Sequence, residues 1–392
     1  MRDLALQHGL RVWAEIDLDR IGANVRNLAS RAAPAHLLAV VKGNAYGHGA
    51  VAVAREALEA GAWGLGVISV EEAEELRRNG LNAPILILGS TTPAMAHRIV
   101  ASGLRAMVGN YEMGEALSQA ATAAGTETSV HIKVETGLNR FGALPDDAVA
   151  LAEHLRSRPG IVVEGIATHL ASVDEGDKTF TFQQYKAFRL AVDRLPWIPL
   201  PHISSTGAVL DLPELNHGLV RCGIGLYGYY PSNEVSHSIE LQPALSLRTR
   251  IARVSTLEPG ESVGYGRTWR AEKPSRVALA MIGYADGVRR SLSSVGVALV
   301  HGQRVPFAGR VAMDMLMLDI TDVPDVEVDD EVTLIGEQDG GSITADEVGS
   351  LCGTISYEVL AGIMARVPRL YVKGGSLAGV HDLAGYRPAS AL

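Results

Sequence analysis

Leu37-Leu38-Ala39-Val40-Val41-Lys42 is a run of five apolar residues closed by a lysine. A strand with one face in water alternates apolar and polar residues. This run does not, so it reads as a strand covered on both faces. Short runs of the same texture recur at 64–68, 85–89, 105–108, 130–135, 163–169, 201–204 and 219–221. Most of the gaps hold a helix-period segment. Residues 69–79 (SVEEAEELRRN) open on a capping serine with an acidic first turn and stop at Gly80, and 112–124 and 146–156 behave alike. Eight such runs alternating with helices predict an α/β fold, a parallel (β/α)8 TIM-type barrel. A doubly wound open sheet is the alternative, but no Gly-x-Gly-x-x-Gly follows the first strand.

Past Leu241 the texture changes. Strand-like runs at 245–256, 277–282, 296–300, 311–320 and 331–335 are separated by Glu258-Pro259-Gly260, Asp286-Gly287, His301-Gly302 and Asp339-Gly340-Gly341. They predict a second, mostly antiparallel β-domain. The expected division is a barrel over 12–240 and a β-domain over 241–392, with residues 1–11 as an optional extension of the latter. Val12–Asp17 is strand-like and stands outside the barrel count.

Composition narrows the function. The chain has 392 residues, of which 47% are hydrophobic, and carries a formal charge of −9. That is globular usage, and an acidic chain is a poor phosphate-backbone binder, so no nucleic-acid partner is expected. Cys222 and Cys352 make neither a disulfide framework nor a metal motif, so no metal is expected. No apolar run reaches 18 residues, and Met1–Trp13 holds no apolar leader core, so the expectation is a cytoplasmic protein without a membrane partner. Eleven tyrosines against five phenylalanines is the one oddity, because buried hydroxyls need partners.

Barrel active sites sit at the C-terminal ends of the strands. Lys42 stands at the end of the first, Lys133 and Glu135 lead toward Arg140 after the fifth, and Thr168-His169 ends the sixth. Ser204-Ser205-Thr206-Gly207 ends the seventh, and Arg221 with Gly223-Ile224-Gly225 ends the eighth. A partly desolvated lysine is a Schiff-base nucleophile, and hydroxyls with free backbone N–H groups near the last two strands suit a phosphate. Together they point to pyridoxal phosphate. Taken singly, each residue reads as a rim charge, a turn or a structural histidine; their joint placement on one face carries the reading.

The segment 39–49 (AVVKGNAYGHG) closely resembles the cofactor-lysine segment of the alanine racemases. So do 133–140 (KVETGLNR), 168–171 (THLA), 220–228 (VRCGIGLYG), 263–266 (VGYG), 282–287 (IGYADG), 309–314 (GRVAMD) and 355–358 (ISYE). The resemblance implies pyridoxal 5'-phosphate held covalently on Lys42. Tyr46, Thr206, Gly223, Ile224 and Tyr357 would hold its phosphate, Ser205 would line the wall near the cofactor, Arg221 would face the pyridine nitrogen, and His169 would lie nearby. It implies catalysis by Lys42 on the D-side and Tyr265 on the L-side, with Arg140 and Met313 toward the substrate. Lys133 is the family's carbamylated lysine, and Asp174, Tyr284, Arg310 and Asp314 are supporting or entrance residues. The family works as a homodimer in which Tyr265, Tyr284, Met313 and Asp314 reach the other subunit's site, and its product, D-alanine, supplies peptidoglycan.

Two positions depart from the family pattern. Ser205-Thr206 stands where Asn-Ser is usual, and Ala312 where cysteine is common, which leaves the substrate side slightly roomier. The rival readings are a racemase acting on serine as well as alanine, a pyridoxal-phosphate decarboxylase, and a non-catalytic carrier of the cofactor. The last lacks the second domain that this chain carries.

Overall fold

The structure, a computed structural model, describes residues 9–391. It divides into two units. One comprises Arg20–Ala45 and Val53–Gln242 and is built on eight parallel strands: His36–Val40, Gly64–Val67, Ile85–Ile87, Arg105–Val108, Thr128–Lys133, Ile161–Ala167, Leu200–His202 and Leu219–Cys222. Each pairs with the next in the chain as far as the seventh, and the eighth pairs with the first, with Leu38 opposite Arg221. The remaining seam, between the seventh and eighth, is closed by Gly218 N–H to Pro201 O (3.1 Å) and Arg221 N–H to Ser204 O (2.9 Å). The sheet is therefore a closed or nearly closed barrel, as the unalternated runs predict.

Helices cover it, and their ends follow the sequence signals. Ser69 Oγ accepts from Glu72 N–H (3.3 Å) at the start of Val70–Arg78, and Asn110 Oδ1 accepts from Met113 N–H (2.9 Å) at the start of Tyr111–Ala124. Gly125, left-handed at φ 62°, ends the latter. Leu38, Leu86, Met107, Ala167 and Leu219 pack inside the barrel, with Trp63, Leu88 and Phe141 against them.

The other unit gathers three pieces of chain, up to Asp19, Tyr46–Ala52, and from Pro243 onward. Its main sheet is mostly antiparallel. The long strand Leu245–Leu257 pairs with Ser275–Ala280, Glu331–Gln338 and Val12–Asp17, and Val12–Asp17 pairs in parallel with Arg369–Lys373. Residues 12–17, which an expected boundary at 12 counts with the barrel, thus form an interior strand of the β-sheet. The expected extension over 1–11 falls, for residues 1–8, outside the described residues.

Two further differences concern this unit. The strand expected over 311–320 is confined to Leu316–Asp319, because the carbonyls of Ala312 and Met313 accept from Tyr284 and Ala285 N–H instead of a neighbouring strand. The hairpins Arg369–Lys373, Ser376–Asp382 and Gly385–Pro388 were not anticipated. Among the described residues no helix is long and apolar enough to cross a membrane.

Candidate active site

Beyond Lys42 the chain makes an uncommon turn. Gly43, Asn44, Ala45 and Tyr46 are all left-handed, at φ 62°, 53°, 53° and 51°. Left-handed backbone costs a residue with a Cβ roughly 1–2 kcal/mol, so the surroundings must hold this turn. Ala45 N–H donates to Val41 O (2.8 Å). The Glu72 carboxylate accepts from Gly43 N–H (2.7 Å) and from Ile68 N–H (2.8 Å), tying the end of the second strand to the turn after Lys42. The helix-capping pattern is thus half used: Ser69 caps, but the glutamate three residues on is diverted to the lysine turn.

Lys42, Lys133, Arg140, Thr168, His169 and Arg221 line one cavity of about 340 Å³, walled on its apolar side by Ile68, Leu88, Met107 and Phe141. Among the described residues no carboxylate lines it. Burial first, and Arg140 next, lower the Lys42 ammonium from its ordinary value, against the opposing pull of Glu72. Lys133 is buried, and burial together with Arg221 brings it down to about 8. Its Nζ donates to Val134 O (2.8 Å) and lies 5.4 Å from the centre of the Phe141 ring. Arg140 is exposed on a loop whose backbone N–H groups at 137 and 140 donate to Glu135.

Arg221 is buried and surrounded by acceptors. Nη1 donates to His202 Nδ1 (2.8 Å) and His202 O (3.0 Å). Nη2 donates to Thr168 O (2.7 Å), Ile203 O (3.1 Å) and His169 Nδ1 (3.2 Å). Burial, and then Arg140, lowers its guanidinium to about 10, which leaves it charged at neutral pH. His169 is half-buried; its desolvation, and then Arg221 beside it, hold it well below the usual histidine range, so it is neutral.

At the seventh and eighth strand ends, Thr206 Oγ1 accepts from Gly223 N–H (3.2 Å) and Gly225 N–H (3.4 Å). Short helices start there, at Thr206 and at Ile224, with Ser205 and Gly223 immediately before them. Ser204 Oγ is buried without a partner among the described residues. Asp174 lies in the loop past His169, and its carbonyl accepts from the Ser232 hydroxyl.

The remaining expected residues belong to the β-domain unit. Tyr46 and Tyr357 approach with ring centres 6.0 Å apart, and burial raises the Tyr46 phenol. Tyr265 is 73% exposed on a turn between Gly264 and Gly266, both left-handed, with the Arg310 guanidinium packed beneath Gly266. Tyr284 and Met313 are exposed on adjoining loops. Arg366 ties those loops together, pairing with Asp286 (2.7 Å) and Asp314 (2.8 Å).

Four residues behind the cavity lining were not anticipated: Glu72, His202, and, bonded on from His202, His131 (2.8 Å) and then Glu164 (3.0 Å). Glu72 carried a signal, the capping pattern, that named a different use. The two histidines sit in apolar strands and read as core.

The sequence matches the family model described as "Alanine racemase, N-terminal domain" over residues 16–231, and "Alanine racemase, C-terminal domain" over 244–371. An alanine racemase of Desulfosudis oleivorans is 44% identical over 381 residues, covering 93% of this chain and 98% of that protein. One from Clostridium perfringens is 43% identical over 375 residues, covering 94% and 97%. Among solved structures, alanine racemase of Clostridium difficile superposes with a TM-score of 0.91 at 34% identity, covering 95% of this chain and 98% of that one. Alanine racemase of Bacillus anthracis with bound L-Ala-P gives 0.89 at 34% identity, with the same coverage.

Proposed function

This chain belongs to the alanine racemase family, and from that premise we propose that it interconverts L- and D-alanine with pyridoxal 5'-phosphate held on Lys42. The observation that carries the reading is the cavity. Lys42, Lys133, Arg140 and Arg221 converge on it and, among the described residues, no acid lines it, so its charge calls for an anionic occupant. A phosphorylated cofactor fits that demand. The start of the helices at Thr206 and Ile224, together with Ser205, Thr206 and Gly223, suits its phosphate, with Tyr46 and Tyr357 assigned to the same end by the family pattern.

The bound cofactor would supply an electron sink that acidifies the amino acid's α-hydrogen. The protein's part is to move the proton. A lysine lowered by burial is neutral in a larger fraction of molecules at neutral pH, and Lys42 would take and return the proton on the D-side. Tyr265 would do so on the L-side. Two bases on opposite faces avoid turning the substrate over. Arg221 cannot give up its proton readily, and so would hold the ring nitrogen without protonating it. That weakens the sink and favours return of the proton to the α-carbon. Arg140 would meet the substrate side.

Carbamylation of Lys133 requires its neutral amine, which a value of about 8 makes accessible. The added carboxylate would give Arg140 an anionic partner. Tyr265, Tyr284, Met313 and Asp314 would serve the partner subunit's site in a homodimer. The exposure of Tyr265 and Met313 supports this, as do the exposed Ile355 and Met364 of the same unit. A cytoplasmic role in supplying D-alanine to peptidoglycan follows from the family.

The test is direct. Adding pyridoxal phosphate should give a visible absorbance band, and L-alanine should lose optical rotation, with L-serine run alongside because Ala312 leaves room. No band, or no racemisation of either amino acid, ends the proposal. Carbon dioxide release from L-amino acids would favour the decarboxylase, and a band without any turnover the carrier.

A further inference from the structure

The barrel interior holds a chain of side chains that runs away from the cavity. From Arg221 it passes to His202, whose Nε2 is 2.8 Å from His131 Nδ1. His131 Nε2 is 3.0 Å from Glu164 Oε2, and Arg105 meets both Glu164 oxygens, through Nε (2.6 Å) and Nη2 (3.0 Å). His202 ends the seventh strand and Arg105 opens the fourth. The chain therefore descends from the C-terminal end of the strands, where barrel sites lie, to the opposite end. There the Arg105 guanidinium covers the Trp63 ring at 5.4 Å.

Donor and acceptor roles along it are constrained from both ends, by a guanidinium that only donates and a carboxylate that only accepts. A guanidinium only donates, so His202 Nδ1 must accept, and a neutral His202 then carries its proton on Nε2. That proton faces His131 Nδ1, which accepts. His131 therefore carries its own proton on Nε2 and gives it to the Glu164 carboxylate. Both imidazoles are fully buried, which depresses them and keeps them neutral. Burial would raise Glu164, but the bonds from His131 and Arg105 prevail and hold it at about 2. Every link is then a donor facing an acceptor: donation runs from Arg221 to Glu164, and Arg105 donates to Glu164 from the other side.

Space is reserved for this arrangement. Gly165, next to Glu164, lies against the His131 ring, and a Cβ there would stand 2.2 Å from His131 Nδ1. No residue larger than glycine leaves the imidazole in place. The two rings cross edge to face, at 83° with centres 4.9 Å apart, which aims one nitrogen of each at the other.

The geometry points to Glu164 as a positioning residue. Its carboxylate, clamped by Arg105, sets the proton order of the His131–His202 pair and through it fixes the face that Arg221 offers to the cavity. The proton order stands on these distances alone; its effect on the cofactor rests on the function proposed above.

Glu164→Gln tests it, because an amide presents a donor as well as an acceptor. His131 Nε2 and Arg105 Nε share Oε2 while Arg105 Nη2 takes Oε1, so one amide oxygen cannot serve all three donors, and in the orientation that leaves it to Arg105 Nη2 the N–H₂ faces His131 Nε2 and requires the opposite tautomer. That reversal passes to His202 and sets two donors against each other at Arg221. The experiment is nitrogen NMR of the histidine rings in the full-length chain, with and without pyridoxal phosphate, beside titration of the cofactor. In the native chain both rings should be Nε2–H tautomers. In Glu164→Gln at least one should leave that form in a measurable fraction of the molecules, and the cofactor should bind up to about tenfold more weakly, the loss of one charge-assisted hydrogen bond's orienting effect. Glu164→Asp, which keeps the charge, should restore most of both.

An Nδ1–H tautomer at either ring in the native chain overturns the proposal. So does a Glu164→Gln protein that melts earlier while keeping both tautomers and its cofactor affinity, since that is what a merely structural ion pair would do. The native tautomer order without any cofactor band would support the relay and remove the cofactor reading.

Discussion

Glu72 is the most informative residue to change. It lies beside Lys42 without lining the cavity, and its carboxylate takes the N–H of Gly43 and of Ile68. Charge-assisted bonds of this kind contribute roughly 1.5–3 kcal/mol each when buried. Glu72 is only half-buried, so about 1 kcal/mol each is the fitting figure, or about 2 kcal/mol for the pair. Against it stands the left-handed turn, whose three non-glycine residues cost at least about 3 kcal/mol in all. Glu72→Gln retains one acceptor, turns an amide donor against the other N–H, and removes the charge. The turn should then open about thirtyfold more often, the equivalent of about 2 kcal/mol.

Hydrogen exchange reads this at the Gly43 and Ile68 amides, where protection should fall by that factor while strands elsewhere in the barrel keep theirs. The same change has an electrostatic sign. Glu72 raises the Lys42 ammonium, whereas burial and Arg140 lower it. Without the negative charge Lys42 should lose its proton at lower pH still. Pulse labelling of Lys42 by an amine-specific reagent across the neutral to alkaline range locates that midpoint. Unchanged protection of Gly43, or a Lys42 midpoint that stays or rises, would refute the reasoning.

Lys133 yields a pH-dependent stability. Folding lowers its ammonium from 10.5 to about 8, so the folded state is penalised in full below about 8, and the penalty fades as pH rises toward 10.5. In the uncarbamylated chain Lys133→Met should therefore gain up to about 3 kcal/mol at neutral pH and little at alkaline pH; urea unfolding that shows an equal gain at both contradicts it. Tyr265→Phe should retain the cofactor band and lose racemisation equally in both directions, because the equilibrium constant is 1, while D-alanine still exchanges its α-hydrogen with solvent deuterium through Lys42; faster exchange from L-alanine than from D-alanine would require another base. Arg221→Glu should raise transamination relative to racemisation. It should also lower the melting temperature, because the carbonyls of Thr168, His202 and Ile203 would face an anion; unchanged partitioning between the two reactions argues against the role given to Arg221.

The barrel was legible because burial on both faces leaves a local mark. Val40-Val41 and Leu86-Ile87 lack the alternation of a half-exposed strand, and no distant partner is needed to see it. The β-domain was less so. Val12–Asp17 announces a strand, but its partners at 245–249 and 369–372 are set by tertiary packing, and Arg369–Lys373 and its hairpins are too short to stand out alone. At the site, strand-end residues such as Lys42, His169 and Arg221 followed from the barrel rule. Glu164 and His131 did not. Their meaning lies in bonds spanning 33 and 71 residues of chain, and nothing near either in sequence distinguishes them from a rim charge and a core histidine.

The interior position of Val12–Asp17 in the β-sheet has a consequence for how the protein is made. Its antiparallel partner begins at Leu245 and its parallel partner at Arg369. A ribosome adding roughly 5–20 residues per second needs about 10 to 50 seconds to reach the first of them. Throughout that interval a strand carrying Trp13 and Ile16, both destined for full burial, has emerged with both edges unpaired. Synthesis rate and chaperone supply should therefore govern the yield of folded protein more strongly than the stability of the finished molecule. A circular permutant that moves this strand to follow Pro388 would shorten the wait to the time its own residues take to appear.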